Sequence, residues 1–126
     1  MAADPSSRAA FVHSSVEVAR KFGFNGVDLD WEYPQDSTDM QNLDCLLDEW
    51  RVEVGKEAGA TGRPPLLLTA AVYYSAFISW PALRAYPSGS ISKNLDWINL
   101  MNYDYHASGN RRPRELKRHY LTRKVT

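Results

Sequence analysis

The chain has 126 residues, 44% of them apolar and 12% aromatic, enough for one modest domain with a packed core and too few for two. Lysine plus arginine balance aspartate plus glutamate at 15 each, which excludes the chain as a whole as an electrostatic partner for nucleic acid or anionic lipid. No run of about 18 apolar residues exists to span a membrane.

Asp4 to Ser7 offers capping residues, and Phe11, Val12, Ser15, Val16, Ala19 and Phe22 recur with helical spacing until Gly23, predicting a first helix. GVDLDW, residues 26 to 31, follows with period two: Val27, Leu29 and Trp31 on one side, acids on the other, the pattern of a strand. Thr38 and Gln41 have the spacing of a capping box. They precede a stripe of Met40, Leu43, Leu47, Trp50 and Val54, which predicts a second helix ending before Gly59. LLLTAAVYY, residues 66 to 74, reads as a strand buried on both faces. Ser79 to Ala85 is expected as a short helix stopped by YPSGS, and LDWINLMNY, residues 95 to 103, as another buried strand.

Helices alternating with strands imply parallel strands joined by helical crossovers, an α/β architecture. A doubly wound sheet and a (β/α)8 barrel both fit, and no GxGxxG follows a strand to favour dinucleotide binding. Charge divides the chain further. Residues 1–110 hold 8 Lys/Arg against 14 Asp/Glu, and residues 111–126 hold 7 against 1, so −6 and +6 cancel. The reading is one domain over 1–110 and a basic, disordered tail over 111–126.

The single cysteine, Cys45, excludes an internal disulfide framework and reads as a free thiol on a helix. His13, His106 and His119 form no metal-ligand pattern with it. The start of the chain has no basic n-region followed by an apolar h-region, so no signal peptide is visible. The sequence carries no signal for an oligomeric state.

The chemistry concentrates in NGVDLDWEYP, residues 25 to 34. Alternate strand residues share a face, so Asp28, Asp30 and Glu32 line up about 7 Å apart. Glu32 is nearest the C-terminal end, where α/β barrels place their chemistry. Three uses fit this spacing: a solvated strand face, an oxygen-ligand site for Mg²⁺ or Ca²⁺, or acid–base catalysis in which crowded carboxyls share a proton. Apolar neighbouring strands weigh against a wet face, because a strand inside such a sheet has none.

Asn25-Gly26-Val27-Asp28-Leu29-Asp30-Trp31-Glu32 resembles the DGxDxDWE signature of the glycoside hydrolase family 18 chitinases. GFNGVDLDWEYP, LLLTAAVYYS and LDWINLMNYD resemble three successive barrel strands of its plant class V branch. The resemblance implies a partial (β/α)8 TIM barrel, approximately strands four to six, acting on chitin or N-acetylglucosamine oligosaccharides. By position Glu32 matches the general acid. Asp30 matches the residue that orients the substrate's acetamido group, and Asp28 the carboxyl below that shares its proton. Tyr103 matches the tyrosine that steadies the acetamido carbonyl, while Met101 and Asp104 line the sugar site. The family has no carboxylate nucleophile, because the acetamido carbonyl attacks C1 itself. No metal or other cofactor is implied. Tyr73, Tyr74 and Tyr105 are further candidates for sugar contact, as is His106, which follows the second family motif, Met101-Asn102-Tyr103-Asp104.

Asn25 stands where the family has aspartate, at a position expected to be deep and structural. The length of the chain fits only part of a barrel, so the reading expects a truncated domain, weakly active at best when alone. The alternative is a carbohydrate-binding protein without turnover. The family's compartments are extracellular or vacuolar.

Overall fold

The computed structural model describes residues 1–104. The predicted disordered tail, Tyr105, His106 and His119 lie outside the described residues. Helix α1 spans Pro5–Lys21 and starts where Asp4 accepts the Ser7 N–H at 2.7 Å, with Pro5 in the first turn. Such a cap satisfies a backbone donor the helix cannot. Strand β1 is Gly26–Asp30 and helix α2 is Ser37–Thr61. Asp36, rather than a Thr38–Gln41 box, caps α2 by accepting the Asp39 N–H at 2.8 Å. The helix passes Gly59 and stops at Gly62, whose φ of 66° is the left-handed conformation glycine adopts without penalty.

Strands β2, Leu67–Tyr73, and β5, Trp97–Met101, complete a parallel sheet in the order β1-β2-β5. Asp28 pairs with Thr69 and Thr69 with Trp97; one layer along, Asp30 pairs with Ala71 and Ala71 with Asn99. At the start of β1 a Cβ on Gly26 would stand 2.5 Å from the Leu67 carbonyl oxygen, so the close approach of β1 to β2 requires glycine there.

The helices cover one side of this sheet. Val12, Val16 and Ala19 of α1 pack with Leu46, Trp50 and Val54 of α2 and with Leu66 and Leu68. Phe11 meets the Trp50 ring edge-on at 5.3 Å. Arg8 pairs with Glu49, His13 with Glu53 and Arg20 with Glu57. The partners ascend together along both helices, so α1 and α2 run side by side in the same direction, as the alternating sequence implies. Among the described residues no helix is long and apolar enough to cross a membrane.

Two further expectations need correction. Ser79–Ala85 is not a helix: β3, Phe77–Ile78, and β4, Arg84–Ala85, form a small antiparallel pair. Helix α3 follows at Ser88–Asn94. Pro87 stands at its N-cap, so YPSGS begins a helix rather than ending one, as proline's missing N–H allows. The second correction concerns burial. Among the described residues only the central strand β2 is largely enclosed, and β1 and β5 are edges. Trp97, Ile98, Asn99 and Leu100 are exposed, as are Asp28 and Asp30. Asn25 is exposed too, its carbonyl taking the Leu67 N–H at 3.0 Å.

Candidate active site

Parallel strands end together, so the residues at their C-termini meet at one rim. Glu32 lies two residues beyond β1, Tyr73 ends β2, and Met101 ends β5 with Tyr103 and Asp104 just past it. These five, with Tyr33 and Tyr74, line a cleft of about 400 Å³. Asp30 and Asp28 sit one and two layers below, on the sheet face that carries no helix among the described residues. The sequence-predicted residues Glu32, Tyr73, Met101, Tyr103 and Asp104 are therefore brought together. Tyr105 lies outside the described residues.

The period-two pattern explains the arrangement. Val27, Leu29 and Trp31 turn toward the helix layer, where Leu29 and Trp31 touch the second apolar cluster of Met40, Leu43, Leu47 and Ile78. Their burial holds the alternate residues on the opposite face. Asp28 accepts hydrogen bonds on one oxygen, Oδ1, from the Thr69 hydroxyl and from Asn99 Nδ2, the latter at 3.1 Å. Asn99 is in register with Ala71 while Asp28 is in register with Thr69, so this bond runs diagonally across β2.

Aromatic rings build the wall. Tyr33 meets Tyr73 edge-on at 5.7 Å, and Tyr73 lies 4.3 Å from Tyr74. Its hydrogen bond with Tyr74, then burial, pushes the Tyr73 hydroxyl up to about 12. Burial and then the charge of Glu32 raise Tyr33. Both phenols consequently stay neutral and able to donate at ordinary pH. Tyr103 is 63% exposed. Asp104 adopts a φ of 55°, a left-handed conformation that aspartate tolerates better than most residues.

Thr69, Asn99 and Tyr33 escaped the sequence reading. A signal existed for the first two: each is a lone polar residue in an apolar run, and both fall on the acid-bearing face once the register is known. Among the described residues no cluster of His, Cys, Asp and Glu could hold a metal ion. Trp97, within the strand expected to be buried, is 51% exposed because β5 is an edge among the described residues. Cys45 is a free, exposed thiol on α2.

Comparison with known proteins gives a consistent result. The family model for glycosyl hydrolases family 18 matches residues 1–119. Nod factor hydrolase protein 1 of Medicago truncatula is 50% identical over 110 residues, covering 86% of this chain and 29% of that protein. A mutant class V chitinase from Nicotiana tobaccum, solved in complex with NAG4, superposes with a TM-score of 0.79 at 50% identity, covering 84% of this chain and 30% of that one. The chitinase-like agglutinin RobpsCRA from Robinia pseudoacacia superposes with a TM-score of 0.77 at 43% identity, over 85% of this chain and 31% of its own. The chain thus spans about a third or less of the length of these relatives.

Proposed function

The chain belongs to glycosyl hydrolases family 18, and from that premise we propose that it carries the catalytic acid of a chitinase-type hydrolase acting on β-1,4-linked N-acetylglucosamine. The observation that carries this reading is the vertical order Asp28, Asp30, Glu32 on an open sheet face, with only Glu32 at the rim of the cleft. In this reading β1, β2 and β5 are the fourth, fifth and sixth strands of a (β/α)8 barrel, and their shared C-terminal edge is its catalytic rim.

Glu32 donates its proton to the glycosidic oxygen as the bond from C1 to that oxygen breaks. The substrate's own acetamido carbonyl oxygen forms the new bond to C1, giving an oxazolinium ion. Water then opens the ion at C1 and returns a proton to Glu32, so configuration is retained. Asp30 accepts the acetamido N–H and balances the cation. Asp28 is held by two donors on Oδ1, which leaves Oδ2 to exchange a proton with Asp30. Tyr103 donates to the acetamido carbonyl, while Tyr73, Met101 and Asp104 contact the sugars. No step calls on a metal.

The decisive experiment pairs cleavage and binding of chitin oligosaccharides on one preparation of the chain, with Glu32→Gln beside it. Slow hydrolysis lost in the variant, with binding kept, supports the reading; hydrolysis that survives Glu32→Gln overturns it. A second reading, sugar binding without turnover, is favoured by the agglutinin among the structural relatives. Binding without cleavage in both proteins would select it. The resemblance also carries an extracellular or vacuolar location, which fractionation of the source tissue would test.

A further inference from the structure

Arg84 is 4% exposed, and among the described residues it forms no ion pair. Burying a guanidinium is costly unless its donors are used. Here they take three backbone carbonyls. Nε donates to the Pro34 oxygen, and Nη1 donates to Trp80 O at 2.6 Å and Ala82 O at 2.8 Å. Two of these acceptors belong to the β3–β4 loop. The third lies two residues past Glu32.

We propose that Arg84 is a positioning residue for Glu32, tying the segment after β1 to the β3–β4 hairpin through a rigid three-carbonyl fork. The proposal rests on the reading of Glu32 as proton donor. The β1 ladder ends at the Asp30–Ala71 pair, so Glu32 itself lies beyond the sheet's hydrogen bonding. Downstream, Gln35 N–H is held by Asp39 at 2.8 Å, and Pro34 is buried. The guanidinium fixes Pro34 against a hairpin whose Ile78 packs into the second apolar cluster. Glu32 is thereby suspended between the sheet and this clamp. A planar fork sets the separation of its acceptors in a way one lysine ammonium cannot. Positional errors of about 1 Å at a reacting group cost up to roughly 100-fold in rate, which is the consequence such a clamp prevents.

The test uses the whole chain with Arg84→Met and Arg84→Lys. Amide hydrogen exchange is read at Gln35 and at Leu68, whose N–H is held by Asp96 at 2.8 Å in the sheet. Hydrolysis of a fluorogenic chitobioside supplies kcat and KM. Arg84→Met is expected to speed exchange at Gln35 about tenfold, as loss of one restraining interaction does, with Leu68 unchanged. kcat should fall roughly 10- to 100-fold with KM nearly constant, and Arg84→Lys should recover part of both. Equal loosening of Gln35 and Leu68, unfolding of both variants, or a kcat unmoved by a loosened Gln35 would each overturn the proposal. If the unsubstituted chain turns over no substrate, the catalytic reading fails separately. Exchange at Gln35 relative to Leu68 then decides whether Arg84 holds the segment.

Discussion

The two faces of the parallel sheet are made by the same strands and have opposite duties. On one, Leu66 and Leu68 are buried beneath α1 and α2, and Val27 and Leu29, partly buried, pack against the same cluster. On the other, Asp28, Asp30 and Glu32 stand exposed, beside Thr69, Tyr73, Asn99 and Met101. Apolar burial supplies the free energy that orders the strand. It also dictates where the intervening acids point. Stability and the proposed chemistry are thus interleaved in sequence and separated in space, so each face should be perturbable without the other.

The strongest way to break that separation is to damage each face alone. Trp50→Ala removes the largest ring of the first core cluster and should cost about 3–5 kcal/mol, read as a lowered urea midpoint. Glu32→Gln should reduce hydrolysis by roughly 10²- to 10⁴-fold while moving stability by no more than about 0.5 kcal/mol, because Glu32 is exposed. A Glu32→Gln chain that lost stability comparable to the tryptophan variant would show the faces to be coupled.

Thr69 sharpens the comparison, since it sits on the polar face yet is only 8% exposed. Thr69→Val keeps its shape and removes one donor to Asp28. The expected loss is about 1 kcal/mol, seen by chemical denaturation, with a slower reaction if Asp28 tunes Asp30. An unchanged rate would confine the Thr69 hydroxyl to a role in folding.

The smallest effect lies far from both faces. Hydrogen bonds from Ser6 and the Ser7 backbone lower the Asp4 carboxyl from 3.8 to about 2. A depressed folded value means that its stabilisation is complete above the unfolded value and lost as pH falls through the folded one. Between pH 3.8 and about 2 the thermal midpoint should therefore fall less steeply in Asp4→Asn, which caps comparably without titrating. Identical acid limbs would remove Asp4 from the account.

Much of this was legible in the residues. Helical stripes marked the buried sides of α1 and α2, and the alternation in GVDLDW marked both sides of β1. Ser79–Ala85 departs from the expected helix because it turns back into the β3–β4 hairpin, whose Arg84 also reaches the Pro34 carbonyl 50 residues away, and no local pattern reports that partner. Thr69 and Asn99 were passed over for a related reason: a polar residue in an apolar run gains its meaning from register, which is set between strands.

Sequence by itself determined α1, β1, α2, β2 and β5, the grouping of three carboxyls on one strand face, and the family. Each is a local periodic property or a motif, carried by neighbours along the chain. Tertiary structure decided which strand is central, that β1 and β5 are edges, and that Tyr33, Tyr73, Tyr74 and Tyr103 gather around Glu32. It also placed Asn99 on Asp28 and Arg84 on Pro34. Those contacts join residues dozens of positions apart, and only strand pairing and the packing of helices on a sheet bring them within hydrogen-bonding distance.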